Sequence, residues 1–288
     1  MNSAFSLLMK IHIHPLFWGI FVIGILTATV KQLFLLFIIV IIHELGHAVA
    51  AQCFSWRIRR IMLLPFGGVA EVDEHGNRPF REEFIVTISG PLQHLWMFGA
   101  AFLLMKINVL SLETYEQFMF QCTVILLFNL LPIWPLDGGK LLFLICSRSL
   151  PFLEAHKLAL RLSTFFLAIG IIYAVIMHPF QLHLWIVISF LIISGYLEWK
   201  SRQFVYMRFL LERYHGKEHP IGALKTLSVS TSETLHQVLQ KFQRGCKHMI
   251  IATSQTGEHV QIDENELLHA YFVEKRTNSQ LDELVTVY

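Results

Sequence analysis

The sequence predicts an all-α polytopic membrane domain of about six transmembrane helices, interrupted by a membrane-dipping β-like loop and followed by a small α+β domain. Three observations predict it. Hydrophobic residues make up 54% of the 288 and charged residues only 15%, at a mean hydropathy of +0.53, the composition of a membrane protein with a modest soluble part. Six apolar runs approach or reach the ~20 residues that one bilayer crossing needs. Beyond Trp199 the composition changes, and Lys, Arg, Glu and His enter together.

The apolar runs lie at roughly 13–30, 33–53, 84–105, 118–146, 163–178 and 182–197. The last two are short, and Pro179 between them leaves a hairpin of tilted helices as the alternative. Loop charge orients the set. Segments that these crossings place on one side carry Lys10, then Arg57, Arg59, Arg60, Arg78 and Arg81, then Arg148, Lys157 and Arg161, then Lys200, Arg202 and Arg208. The opposite loops offer Lys31 and Lys106 beside Glu113 and Glu116. By the positive-inside rule both termini are cytoplasmic. The first run, with one Lys ahead of it and no small-residue cleavage signature, reads as a retained span rather than a signal peptide. A net charge of +2 is too small to argue for nucleic acid. Cys53, Cys122, Cys146 and Cys246 lie far apart without paired spacing. That excludes a disulfide framework and a zinc-thiolate motif, so they are expected reduced and mostly buried.

The second run contains His43-Glu44-Leu45-Gly46-His47. Histidines four apart project from one face of a helix, so both imidazoles reach a single Zn2+ at ~2.0 to 2.1 Å. Glu44 between them is then the general base that takes a proton from the attacking water. On a solvated helix the same pattern is often only a charged face. Inside hydrocarbon that reading fails, because charged groups there cost about 2.5 to 3.5 kcal/mol each on insertion scales. Gly46 keeps this helix face low enough for another backbone to approach.

Between the second and third runs, residues 61–72 are apolar but too short to cross, and Pro65, Gly67 and Gly68 interrupt any helix. This is the β-like loop. It either dips into the membrane, where protein or a cavity must satisfy its backbone, or lies idle at the interface. The third run contains Ser89-Gly90-Pro91, whose small residues and bend favour close packing. His94 nearby is expected to hydrogen-bond a neighbouring helix rather than bind metal.

The fourth run carries Asn129-Leu-Leu-Pro132-Ile-Trp-Pro135-Leu136-Asp137-Gly138-Gly139. Its prolines and glycines break the helix, and Asp137 is a carboxylate that must be neutralised or bound to a cation. His43 stands ten residues before Cys53 and Asp137 nine before Cys146, each near the cytoplasmic exit. At ~1.5 Å per residue both sit on the order of 14 Å deep. Two His, one carboxylate and a water make the four-coordinate site of a catalytic zinc. Glu71 and Glu74, 24 and 27 residues beyond His47, are rival third ligands, disfavoured because the approach to them is broken rather than helical.

With a linker over 201–221 marked by Gly216 and Pro220, the soluble domain covers 222–288 and the membrane domain 1–200. Leu224 to Val229 alternates like a strand, Thr231 to Phe242 has helical spacing with Ser230, Thr231 and Ser232 as caps, and His248 to Thr253 is a buried strand. Its ~67 residues make a thin core, so a partner copy is expected to help it.

His43-Glu44-x-x-His47 in one span and Asn129-x-x-Pro132-x-x-Pro135-Leu136-Asp137-Gly138 in another resemble the site-2 proteases, zinc intramembrane metalloproteases. The likeness covers about 200 residues, with both motifs in the family's order. It implies His43, His47 and Asp137 as ligands of one Zn2+, Glu44 as base, and Asn129 and Pro135 as substrate contacts. The tail resembles a single CBS (cystathionine β-synthase) domain, which implies ATP as a candidate ligand and pairing between chains. Its stretch from Glu258 to Glu266 lacks the Gly-Ile-Val/Ile-Thr pattern of such domains, and this counts against nucleotide. The combination resembles the members from endospore-forming bacteria. That implies a membrane-associated pro-sigma factor as substrate, regulatory membrane proteins as partners, and the membrane around the forespore as location.

A helical substrate hides its peptide bonds, so the scissile segment must be held extended. The loop with Phe66, Gly67 and Gly68, and the broken backbone near Asn129, are the candidates to pair with it as an added strand. The alternative from another class is a CBS-regulated metal or proton transporter, since intramembrane His, Glu and Asp on broken helices also build ion paths. Ion flux without cleavage is what separates the two.

Overall fold

Long apolar runs become helices, Phe80–Lys106 keeping Pro91 inside it, and the Pro and Gly cluster at 132–139 becomes a joint. In the computed structural model the described residues are 29–56, 78–215, 224–253, 259–277 and 279–283, with the backbone of 11–13, 58–64, 67–72 and 284–285. The order is β1 (Ile11–Ile13), α1 (Val30–Cys53), β2 (Ile58–Leu64), β3 (Gly67–Val72), α2 (Phe80–Lys106), α3 (Leu112–Asn129), α4 (Asp137–Ser147), α5 (Phe152–Met177), α6 (Leu182–His215), β4 (Leu224–Ser230), α7 (Leu235–Gln240), β5 (Lys247–Thr253), β6 (His259–Asp263), α8 (Glu264–Phe272) and α9 (Leu281–Val285). Among the described residues, α1, α2, α5 and α6 are four helices long and apolar enough to cross a membrane. The predicted first crossing falls almost wholly outside the described residues.

The predicted fourth crossing, 118–146, is not one helix but two, α3 and α4. Pro132 and Pro135 lack the N–H that a continuing helix needs and clash with the preceding turn. The freed groups find other partners: Trp134 N–H donates to Ser163 Oγ at 2.7 Å, and Ile133 and Leu136 are buried against Leu191. The chain then folds back so tightly that a Cβ on Gly138 would stand 2.2 Å from the Leu130 carbonyl oxygen. Only glycine fits there.

Outward faces of these helices are apolar, with Phe120 71% and Ile176 70% exposed, whereas His43, Glu44, His47, His94 and Asp137 are all buried. This inversion of the soluble pattern suits a bilayer, which welcomes Phe and Ile and penalises charge.

The loop at 61–72 is a hairpin. β2 and β3 run antiparallel with Leu64 opposite Gly67, and β1 pairs parallel with β2 through Ile11 and Ile61. In the order β1-β2-β3, β3 has a strand on one side only among the described residues. Pro65 and Phe66 lie outside them. At three residues, β1 is too short to show a period in sequence.

The described residues form two compact units, the first drawn from 1–74, 81–142 and 162–195, the second from 75–80, 143–161 and 196–288. The expected linker over 201–221 is therefore helix as far as His215, and 216–221 lie outside the described residues. Its composition turns polar while Val205, Tyr206, Phe209 and Leu210 keep helical spacing, so one apolar stripe persists on a charged helix.

That stripe has a partner. In the second unit Tyr206, Phe209 and Leu210 of α6, with Phe152 and Leu153 of α5, join Val229, Leu235, Leu239, Phe242, Ile250, Leu267, Leu268 and Leu281 in one core. The Phe152 and Phe209 rings stack at 4.2 Å, and Phe152 N–H donates to Phe242 O at 2.9 Å. The tail's thin core is thus completed within the chain, which removes the size argument for pairing with a second copy. Deleting everything after His215 should leave Phe152, Phe209 and Leu210 without cover. Such a truncation is expected to lower the yield of monodisperse protein in detergent rather than release an independent enzyme. Undiminished yield and thermal stability would contradict it.

The sheet of the tail runs β4-β5-β6, with β4 and β5 parallel and β5 and β6 antiparallel. The strands and first helix predicted there are present. The cap is Thr234, in a reciprocal capping box with Gln237, not Ser230, Thr231 or Ser232, because β4 extends through Ser230 and Thr231 N–H bonds Thr253 O at 3.2 Å. Of the four cysteines only Cys122 is buried and Cys53 is exposed, against the expectation of mostly buried thiols.

An ion pair closes this core. Arg213 donates to both oxygens of Glu264, at 2.5 and 2.8 Å, and to the carbonyls of Gln243 and Cys246 at 2.8 and 2.6 Å. Burial alone pushes the Glu264 carboxyl up, but hydrogen bonds from His248 and Arg213 and the Arg213 charge outweigh it and hold the carboxyl down at about 2. A depressed carboxylate stabilises the fold above its unfolded value of 4.5, and that contribution is lost as pH falls from there towards about 2. At 1.36 kcal/mol per unit it is on the order of 3 kcal/mol. Protection factors of β5 amides, taken against the intrinsic exchange rate at each pH, should therefore fall below pH 4.5, and Glu264→Gln should flatten that dependence.

Candidate active site

Helix α1 has no proline, so its register carries His43 and His47 to one face, one turn apart. Their Nε2 atoms are 3.2 Å apart. Asp137, the first residue of α4, is delivered by the doubled-back segment 130–136, and its Oδ2 lies 3.0 Å from each Nε2. The three side chains are 2%, 8% and 3% exposed for His43, His47 and Asp137. Residues 94 and 90 positions apart in sequence have been brought to one point.

The neighbours fix which nitrogen faces that point. His47 Nδ1–H donates to the Val86 carbonyl at 2.8 Å, which leaves the Nε2 lone pair directed at Asp137. His43 Nδ1 is 3.2 Å from His94 Nε2, and its Nε2 is directed likewise. The other oxygen of Asp137 accepts from Lys140 Nζ at 3.1 Å. Two imidazole lone pairs and a carboxylate oxygen directed at one spot repel each other unless a cation sits between them. Four-coordinate zinc with ligands at ~2.0 to 2.1 Å separates its donors by about 3.3 Å, close to the 3.0 to 3.2 Å observed. The donor set fits zinc.

Glu44 is 5% exposed and offers a carboxylate oxygen within 4.8 Å of the nitrogen donors of both histidines. A water held between them is within its reach. Of the rival carboxylates, Glu71 is described by its backbone alone, in β3 opposite Arg60, and Glu74 lies outside the described residues. Asp137 Oδ2 is the carboxylate oxygen at 3.0 Å from both histidines.

Two glycines make this geometry possible. A Cβ on Gly90 would stand 2.2 Å from His47 Nε2, and one on Gly46 would stand 2.7 Å from the Ser89 carbonyl oxygen. Ser89 Oγ lies 2.6 Å from the Val86 carbonyl and 3.0 Å from the Gly46 carbonyl and shares its one proton between them, at the close approach of α2 to α1. Gly46 was legible as a close-approach residue. Gly90 was read as packing only, and the space it leaves is taken by the His47 imidazole. Gly90→Ala is expected to displace that ring and cut activity by on the order of 10²-fold, with zinc content falling in parallel. Retention of both would refute the steric account.

Asn129 ends α3, and its amide donates to Ile125 O at 3.0 Å. Pro135 is partly buried in the following turn, behind a cis Trp134–Pro135 bond. Gly67 and Gly68 open β3, and Phe66 lies outside the described residues. Lys140, the Val86 carbonyl and Gly90 were missed from sequence. Lys140 had a signal, standing three residues after Asp137 on the same helix face.

A model of peptidase family M50 matches residues 31–113 and 105–170. Stage IV sporulation protein FB of Bacillus subtilis is 49% identical over 288 residues, the whole of both chains. The chain belongs to peptidase family M50, the site-2 proteases. A zinc metalloprotease of Methanocaldococcus jannaschii is 34% identical over 129 residues, 43% of this chain and 37% of that one. The solved site-2 protease from the same archaeon superposes at a TM-score of 0.52 and 26% identity, over 65% of this chain and 89% of that one. This M50 chain is accordingly a zinc metalloprotease of the membrane.

Proposed function

We propose that this site-2 protease hydrolyses a peptide bond in or beside the membrane, with His43, His47 and Asp137 holding zinc and Glu44 as general base. Its substrate is a membrane-associated pro-sigma factor of sporulation, released from its pro-sequence. The observation that carries the chemistry is the triangle of His43 Nε2, His47 Nε2 and Asp137 Oδ2, with sides of 3.0 to 3.2 Å, and Glu44 beside it. The substrate rests on the likeness to the Bacillus subtilis protein along its whole length.

Zinc, when bound, polarises the scissile carbonyl and the attacking water. Glu44 takes the proton from that water and later returns it to the leaving nitrogen. Asp137 and Lys140 divide one carboxylate, Oδ2 toward the histidines and Oδ1 on the ammonium, so its orientation is set before substrate arrives. The edge of β3 at Gly67 and Gly68 receives the unwound segment as an added strand, with Phe66 as a further candidate contact. Asn129 and Pro135 flank the non-helical stretch between α3 and α4 and bound the same segment.

In this reading the chain crosses the membrane six times, both termini are cytoplasmic, and it resides in the membrane around the forespore under the control of regulatory membrane proteins. The tail acts as a CBS domain, supported by the β4-α7-β5-β6-α8 order. ATP as its ligand and pairing between chains are separable additions. The mass of the full chain in detergent, with and without ATP, tests both.

The deciding experiment uses purified full-length chain with a membrane-tethered pro-sigma substrate and zinc. Cleavage that stops with Glu44→Gln supports the proposal. Ion flux in liposomes without cleavage would replace it with the transporter reading.

A further inference from the structure

We propose that His94 and Cys122 form a hydrogen-bond relay that holds His43 in the tautomer able to bind metal, so that both act as positioning residues for the site. The inference rests on the assignment of His43 as a ligand under the proposed function. Its observation is a line of three side chains from three helices: His43 Nδ1 on α1 lies 3.2 Å from His94 Nε2 on α2, and His94 Nδ1 lies 3.0 Å from Cys122 Sγ on α3. The His43 and His94 rings meet edge to face at 5.3 Å.

Only one direction of proton donation along this line is compatible with ligation. For His43 Nε2 to offer a lone pair toward Asp137, its proton must sit on Nδ1, and that N–H must donate to His94 Nε2. His94 then carries its own proton on Nδ1 and donates to the Cys122 sulfur. The reverse direction, Cys122 S–H to His94 Nδ1 and His94 Nε2–H to His43 Nδ1, would place the proton of His43 on Nε2 and block the lone pair. Cys122 as acceptor therefore selects the competent state two residues away.

Burial makes the selection binding. His94 and Cys122 are both 0% exposed, so water does not replace either partner. Cys122 also packs with Ile39 and Met97, which fixes the sulfur against α1 and α2. The two ligands are oriented by different means: His47 by a carbonyl of α2, His43 by this side-chain chain. Outer partners of metal-bound histidine are worth about 10- to 100-fold in affinity.

The test compares His94→Phe, which removes the acceptor but keeps a ring, with His94→Gln, whose amide oxygen reaches the Nε2 position and accepts. It also compares Cys122→Val with Cys122→Ser, which keeps an acceptor. Zinc retained against graded chelator and the absorption bands of the cobalt-substituted protein are read on full-length chain in detergent, with His43→Ala as reference. Expected are a ~10- to 100-fold loss of affinity and shifted cobalt bands in His94→Phe, the same direction and a smaller size in Cys122→Val, and near-native values for Gln and Ser. If His94→Phe does not assemble, the Cys122 pair decides. Native zinc affinity in His94→Phe or Cys122→Val, or equal loss in Gln and Phe, overturns the relay. Native affinity in His43→Ala as well places the failure in the ligand assignment instead.

Discussion

Glu44→Gln abolishes cleavage and leaves zinc bound. The amide has nearly the shape of the carboxylate, so the packing of α1 against its neighbours is preserved, but it cannot take a proton from water. Loss of a positioned general base costs typically 10²- to 10⁴-fold, and here the same group also returns the proton to the leaving nitrogen, so the upper end is expected. Zinc stays because the two Nε2 atoms and Asp137 Oδ2, 3.0 to 3.2 Å apart, are untouched by the change. Metal analysis and a cleavage assay on the same preparation check both halves. Zinc lost from Glu44→Gln would show that Glu44 is a ligand and that its role is misassigned.

Asp137→Asn lowers metal occupancy and activity together. A neutral amide is a weaker oxygen donor, and turning its N–H toward the imidazole lone pairs would remove the third donor altogether. The substitution also removes the negative charge that faces Lys140 at 3.1 Å, so the net charge beside the metal rises by one. The loss of zinc affinity should exceed the ~10- to 100-fold that an outer partner costs. Titration with a competing chelator measures it. If Asp137→Asn keeps full activity while Glu71→Ala loses zinc, the third ligand is Glu71.

The spans were legible where a run was uniform. Leu33 to Cys53 shows one uninterrupted apolar helix, and the β-like character of 61–72 is legible because Pro65, Gly67 and Gly68 exclude a helix, whereas its antiparallel pairing is not. The fourth run misled by its average: hydropathy alone continues through 130–136, while Pro132 and Pro135 make two helices of it. The tail misled in the other direction, because polar residues after Trp199 suggested a linker although Val205, Tyr206, Phe209 and Leu210 still repeat at helical spacing.

What the sequence determined by itself is chemistry that depends on short separations. His43, Glu44 and His47 share a helix turn, so their common face follows from 3.6 residues per turn whatever the rest of the chain does. An intramembrane Asp137 likewise announces that a cation or proton must answer it, because hydrocarbon tolerates no bare carboxylate. The tertiary structure alone decided which atoms meet. That Asp137 reaches both imidazoles, that His47 is turned by the Val86 carbonyl and His43 by His94, and that Gly90 is the space for a ring all depend on helices set side by side. These are contacts between residues 39 to 94 positions apart, and local periodicity carries no record of which distant carbonyl or glycine will face a given turn.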